Sequence, residues 1–360
     1  MVFIYVSITI YVILLFLFCV AFKKVKRFSP SSKELKHSFS IVVPFRNEAH
    51  NLPQLLKSIE QLNYPIEKFE VILVDDESSD GYRVSSYGFR VVELKNIRNS
   101  NSPKKDAIQT AITGSNFDWI ITTDADCVVP KNWLLDLDIF IQTENKEMVC
   151  GPVLFKKQNN FLFDFQQIEM LSLQSVTISS FGLKKPFMCN GANLAYTKKI
   201  FHEVNGFEGN STIASGDDVF LLQKVVVQFP EKVGFLLNSN YVVETNSAQS
   251  WKELFYQRVR WAGKSTAYSS FFGKFVALVV LFGNLAFIMA MPFLSIGYFK
   301  LIPIFILKIL VDLFLANQTA AFYQIRMKNR FLTALFYPFF SSAVALYSLF
   351  GKYKWKDRKV

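Results

Sequence analysis

Glu70-Val71-Ile72-Leu73-Val74-Asp75-Asp76-Glu77-Ser78-Ser79-Asp80-Gly81 sets a short apolar run directly before carboxylates and turn formers. Such a run reads as a buried strand whose C-terminal end carries acids. The layout recurs on both sides. Ser40 to Pro44 is a buried strand followed by Phe45-Arg46-Asn47-Glu48, and Trp119 to Thr123 is another followed by Asp124-Ala125-Asp126. Between them, Leu52, Leu55, Leu56 and Ile59 give residues 47–61 a helical spacing. Phe89 to Leu94 reads as a further strand and Ala107 to Thr113 as a helix. Strands alternating with helices predict an α/β fold with a parallel sheet and ligands at the strands' C-terminal ends.

Outward from this region the chain turns apolar. It has 360 residues, 51% of them hydrophobic, with 38 Phe. That excess over an ordinary soluble domain points to membrane segments. Val2 to Phe22 is an almost unbroken apolar run of about the 20 residues a bilayer needs. Its basic residues (Lys23, Lys24, Lys26, Arg27) come after the run, and no small-residue cleavage site follows. The expectation is an uncleaved anchor (1–24) with the N-terminus outside and the following chain in the cytoplasm. Residues 39–269 form the soluble domain, 271–351 a C-terminal membrane region, and 352–360 a basic tail. Phe275 to Ile296 reads as a span. Leu301 to Leu315 contains Lys308 and Asp312 on one face, which pair inside a bundle or mark an interfacial helix. Phe336 to Phe350 is short and holds Pro338. Two to three C-terminal membrane helices are expected, one segment being re-entrant or interfacial so that both basic clusters stay inside.

The net charge of +11 sits largely beside the apolar runs, and no zinc-finger spacing or basic helix is present. Nucleic acid is therefore not an expected partner; the membrane is. Cys19, Cys127, Cys150 and Cys189 are scattered and His37, His50 and His202 form no ligand pattern, so any metal must be held by carboxylates.

Asp124 and Asp126, two apart on extended chain, face one way and suit a hard cation bridging a diphosphate. Alone, D-x-D is also an ordinary strand end. Asp75 and Asp76 sit where a base or ribose is bound in such sheets, or form an acidic turn. Asn47 caps a helix or cradles a nucleotide with its backbone. Ser215-Gly216-Asp217-Asp218 opens an apolar helical stretch; Asp218 or Asp217 would take the proton of an acceptor hydroxyl, or simply favour a helix N-terminus. Gln257-Arg258-Val259-Arg260-Trp261 precedes a membrane run. Arg260 suits a departing diphosphate and Trp261 a sugar or lipid headgroup, although an interfacial belt looks the same.

The order P-x-R-N-E, V-D-D-x-S-x-D, D-x-D, G-D-D and Q-R-x-R-W resembles the family-2 glycosyltransferases with the GT-A (Rossmann-like) fold. This group includes the cellulose and hyaluronan synthases, with ceramide glucosyltransferase a near relative. The resemblance runs from about Ser40 to Lys264. It implies that Pro44, Asn47 and Glu48 line the nucleotide pocket and that Asp76, with Asp75 beside it, binds uracil. It implies Lys105 near the donor, Asp124 on the ribose or metal, and Asp126 on Mg²⁺ or Mn²⁺. Asn190 and Gly191 belong beside the acceptor, Asp218 is the base with Asp217 its neighbour, and Gln257, Arg258, Arg260 and Trp261 match the last motif. Asp217 stands where many members carry Glu. The implied activity is inverting transfer from a UDP-sugar to a lipid or lipid-linked acceptor at the inner membrane. A processive polysaccharide synthase and a non-catalytic scaffold are the alternatives; a nucleotidyltransferase would need a Gly-rich phosphate loop that residues 41–52 lack.

Overall fold

Strand β1 (Phe39–Phe45) is buried along nearly its whole length because both faces of the sheet are covered. It pairs in parallel with β2 (Phe69–Asp75) on one side and β4 (Trp119–Thr122) on the other, while β3 (Arg90–Lys95) extends the parallel set beyond β2. The computed structural model describes residues 1–349 and the backbone of 350, 354–355 and 358–359, apart from 32, 212, 214, 265 and 266. The expected basic tail lies outside the described residues except for that backbone.

The sheet continues with strands the sequence did not announce. Across β4, β7 (Leu194–Thr197) runs antiparallel, followed by β5 (Met148–Cys150) and β8 (Val233–Phe235), giving the order β3-β2-β1-β4-β7-β5-β8. A separate parallel pair joins β6 (Val153–Phe155) to β9 (Val243–Thr245). Helices α2 (Leu52–Glu60), α3 (Pro103–Gly114), α4 (Trp133–Glu144), α6 (Lys198–Glu203) and α7 (Asp217–Gln228) complete this part of the chain. Leu52, Leu55, Leu56 and Ile59 are all buried in one cluster with Ile41, Val43 and Leu73 of the sheet. Each such side chain contributes roughly 1.5–3 kcal/mol by leaving water.

Helix α2 starts at Leu52 and not near Asn47, as the spacing had suggested. Asn47 takes a left-handed backbone with φ 53°, which Asn tolerates better than most residues and which a helix cannot contain. The segment before α2 is therefore loop, placed at the strand ends.

Residues 26–156 and 188–246 form this unit; residues 1–25, 157–187 and 247–360 form a second, helical one. The helical unit contains α1 (Val2–Phe22), α5 (Phe161–Gly182), α8 (Trp251–Gly263), α9 (Phe271–Ser295), α10 (Ile302–Phe322) and α11 (Arg330–Phe350). Among the described residues α1, α9 and residues 330–349 of α11 are long and apolar enough to cross a membrane. In α10, Lys308 is fully buried and lies 2.7 Å from Asp312, whose second oxygen accepts the Tyr11 hydroxyl at 2.6 Å. The two charges thus pair inside the bundle.

Candidate active site

The C-terminal ends of β1, β2 and β4 bring three acidic loops to one edge of the sheet. The loops after β1 and β2 are bonded to each other. Asn47 N–H donates to Ser78 Oγ at 2.9 Å, Ser79 N–H to Asn47 Oδ1 at 2.8 Å, and Ala49 N–H to Asp80 Oδ2 at 2.6 Å. Arg46 Nη1 reaches the Asp76 carbonyl at 3.0 Å. Pro44 is the one half-buried residue of β1, and Glu48 accepts from Asn51 Nδ2 at 2.6 Å.

Both acids closing β2 are buried and occupied. Asp75 accepts from Ser78 N–H at 2.8 Å and from Lys95. Burial alone would raise its carboxyl, but the Lys95 and Ser78 bonds outweigh this and hold it below its ordinary value. Asp76 accepts from Asn96 Nδ2 and Arg98 Nε, each at 2.7 Å.

Beyond β4, Asp124 is 39% exposed and its Oδ1 lies 2.8 Å from Lys104 Nζ. Lys104 also lies 3.5 Å from Asp217 Oδ2. Burial works against a charged lysine here, yet Asp124, Asp217 and Asp218 outweigh it and raise Lys104 well above its usual value. Lys105, the lysine implied by resemblance, turns elsewhere: its Nζ donates to the carbonyls of Asn210 and Ile213 at 2.7 and 2.8 Å. The structure places Lys104 among the acids.

Asp126 has its Oδ2 3.0 Å from Thr245 Oγ1, and Lys156 Nζ holds its carbonyl at 2.8 Å. Burial and then the Asp124 charge raise the Asp126 carboxyl, with Glu48 adding to the rise and Thr245 and Lys156 opposing it. Among the described residues no three His, Cys, Asp or Glu side chains form a ready metal cage. The crowded carboxylates of Asp124 and Asp126 nevertheless fit a hard divalent ion that takes its remaining ligands from phosphate and water.

Helix α7 supplies the last acids. Gly216 precedes it with φ 85°. Asp217 is buried, whereas Asp218 is half-buried and accepts from Gly191 N–H at 3.0 Å and Val219 N–H at 2.8 Å. Asn190 caps the turn that carries Gly191, accepting from Ala192 N–H at 3.0 Å. Thr122 Oγ1 donates to the Gly191 carbonyl at 2.7 Å, tying that turn to β4. A Cβ on residue 191 would lie 3.2 Å from Asp217 Oδ2 and 3.4 Å from Asp218 Cβ, so glycine gives the acids their room.

Residues 40–204 match the family model described as glycosyl transferase family 2. The chain carries a family-2 glycosyltransferase domain. Among curated relatives, the probable glycosyltransferase YdaM of Bacillus subtilis is 25% identical over 82% of this chain and 71% of its own length. The undecaprenyl-phosphate 4-deoxy-4-formamido-L-arabinose transferase of Proteus mirabilis is 35% identical over 28% of this chain and 32% of its own. The match thus spans about a third of that transferase. The structure of the mannosyltransferase PcManGT from Pyrobaculum calidifontis, in complex with GDP-Man and Mn²⁺, aligns over 97% of this chain and 99% of its own. The TM-score is 0.57 at 17% identity, a likeness of fold. The mixed α/β sheet is that of the GT-A glycosyltransferases.

The remaining family-2 positions lie on α8, in the helical unit. Ser250 caps α8 by accepting from Glu253 N–H at 3.1 Å, and Glu253 reaches back to Gln249 N–H at 2.8 Å. Arg258 is buried: its Nη2 lies 2.8 Å from Glu169 Oε2 on α5, and its guanidinium stacks 4.2 Å from the Trp261 ring centre. Gln257 bonds to Arg258. Arg260 and Trp261 are half-buried. Sequence reasoning missed Arg98, Lys156 and Thr245, none of which lies in a recognisable motif.

Proposed function

We propose that the glycosyltransferase domain moves a sugar from a nucleotide-sugar, a UDP-sugar by motif resemblance, onto a lipid or lipid-linked acceptor, inverting the anomeric centre. The observation that carries this reading is the position of Asp218. It is the accessible member of the acid pair, held by the Gly191 N–H at 3.0 Å, beside the Lys104, Asp124 and Asp217 cluster. As base, Asp218 takes the proton of the acceptor hydroxyl. The acceptor oxygen bonds to the anomeric carbon while the bond to the diphosphate breaks on the opposite face.

The domain's other residues orient and balance charge. Asp75, Asp76, Asn47 and Glu48 line the base and ribose side, with Pro44 behind them. Lys104 offsets the acids around the reacting centre, and Gly191 with Asn190 shapes the acceptor side. Asp126 and Asp124 would hold a divalent ion, Mg²⁺ or Mn²⁺, which when bound supplies charge neutralisation for the diphosphate. Arg260 with Gln257 is assigned to the diphosphate and Trp261 to the acceptor, while Arg258 holds α8 to Glu169. Lys23, Lys24, Lys26 and Arg27 follow the first span, which favours a position of this domain on the cytoplasmic face of the inner membrane. Similarity to the undecaprenyl-phosphate transferase of Proteus mirabilis favours a lipid-phosphate-linked acceptor.

Nucleotide release by the full chain in membranes or detergent tests this, with a panel of UDP-, GDP- and dTDP-sugars and Mg²⁺ or Mn²⁺. Release from one donor, stopped by chelator and by Asp126→Ala, is the expected result. No release and no metal-dependent nucleotide binding would leave the non-catalytic scaffold in its place.

A further inference from the structure

The helical unit contains its own markers of depth. Helix α9 runs antiparallel to α1: the Phe18 and Phe272 rings lie 6.2 Å apart, as do Phe3 and Phe282. Helix α10 runs parallel to α1. At one end Tyr5 OH donates to the Lys300 carbonyl at 3.0 Å, and at the other Gln318 Nε2 donates to the Cys19 carbonyl at 2.9 Å. The chain therefore leaves α10 on the same side as Lys23 and Lys24, and there it carries Arg326, Lys328 and Arg330.

Helix α5 stays on that side at both ends. Near its start, Asn159 accepts from Lys328 Nζ at 2.9 Å and Asp164 from Asn329 Nδ2 at 2.7 Å. Near its end, Ser179 Oγ donates to the Phe18 carbonyl at 2.8 Å. Helix α8 follows α5 through the Arg258–Glu169 pair at 2.8 Å.

Helix α11 begins on this side and keeps contact with α5 and α8, and its Ser341 Oγ also accepts from Asn284 Nδ2 of α9 at 3.2 Å. Phe336 and Phe340 pack 5.8 and 5.1 Å from Phe165 of α5, and Tyr347 still packs 5.5 Å from Phe255 of α8. A helix crossing the membrane would by residue 347 have climbed about 25 Å from Arg330. Its charge pattern agrees: Arg326, Lys328 and Arg330 precede it, and Lys352, Lys354 and Lys356 follow it. Basic clusters at both ends belong on one side of a membrane. Leu332, Leu335, Phe339 and Leu346, spaced three, four and seven apart, form an exposed apolar face.

We propose that α11 does not cross the membrane. It lies within the leaflet on the Lys23–Lys24 side, its apolar face among the acyl chains of anionic lipids and its basic flanks on their headgroups. The crossings are α1, α9 and α10. Length and apolarity alone select α11 as a span and pass over α10. The Lys308–Asp312 pair makes α10 look polar, but that pair is internally neutral and Lys308 is fully buried. The proposal rests on the reading above only for which side is cytoplasmic.

Membrane-impermeant maleimide labelling of the full chain tests it, in intact cells and in inverted vesicles, with the parent chain as background. Tyr298→Cys, Lys328→Cys, Lys356→Cys and, on the soluble unit, Lys131→Cys are introduced singly. Arg326→Cys replaces the second if losing the Asn159 contact impairs folding. Positions 328 and 356 should label from the same side as 131, and 298 from the other. Position 328 opposite to 131, with 356 on the side of 131, would make α11 a span in place of α10 and overturn the proposal. So would 328 on the side of 131 with 356 opposite, which means four crossings. Labelling of 131 from outside the cell would overturn the cytoplasmic reading, and the sidedness of 328 against 356 would still decide α11.

Discussion

The ammonium of Lys104 lies 2.8 Å from the Asp124 carboxylate, in the middle of the acids that define the site. A charge-assisted hydrogen bond of this kind contributes about 1.5–3 kcal/mol. Lys104→Met should lower kcat by roughly 10- to 100-fold. Lys105→Met should instead act on the fold, because Lys105 holds the Asn210 and Ile213 carbonyls, and should lower the melting temperature. Turnover and thermal unfolding measured on both variants separate the two lysines.

Asp218→Asn keeps the shape and removes the base. Turnover should fall by about 10²- to 10⁴-fold while donor binding, measured by calorimetry, persists. Normal turnover in this variant would remove Asp218 from its role.

Gly191→Ala places a methyl group 3.2 Å from Asp217 Oδ2. Asp217 is buried and faces Lys104, so it has little room to give. Turnover should drop on the order of 10-fold through displacement of the acid pair, with the melting temperature nearly unchanged.

Two acids on α4 should respond to pH with opposite signs. Burial would raise Asp138, but bonds from His37, Gln142, Tyr64 and the Lys36 N–H bring it down to about 2. Its unfolded value is about 3.9, so its contribution is present above that pH and is lost as pH falls through 2. Asp136 is pushed up to about 6 by burial. The folded state therefore binds its proton more tightly, and stability is lost as pH rises from about 4 to 6. Asp136→Asn should raise the melting temperature by roughly 3 °C at pH 8 and have little effect at pH 4, as read by calorimetry on the purified chain.

Glu169→Gln leaves Arg258 buried without its counter-charge and should destabilise the helical unit by about 3–5 kcal/mol. Replacing both residues, as Glu169→Leu with Arg258→Met, should recover most of the loss in a detergent unfolding assay. Failure of the double variant to recover would mean that the Trp261 stack carries the effect.

The parallel half of the sheet was legible because β1, β2 and β4 are apolar runs that stop at acids. The antiparallel half was not, since strands such as β5 and β8 have only three residues each and present no period to read. Motif order found Asp124, Asp126, Asp217 and Asp218. It did not separate Lys104 from Lys105, which are neighbours at the start of one helix. The carbonyls of a turn about 105 residues away make that distinction. In residues 157–187, buried Gln166, Gln167 and Glu169 hide the fact that α5 packs with α1 and α10.

The bonds joining Asn47 and Ala49 to Ser78, Ser79 and Asp80 have an evolutionary consequence. Neither strand-end loop can drift by itself, because a change at Ser78 or Asp80 strips a partner from the backbone of the other. A shift in nucleotide preference along this lineage would then proceed by paired substitutions, one in each loop. Single swaps borrowed from a relative with a different donor would behave worse than either parent.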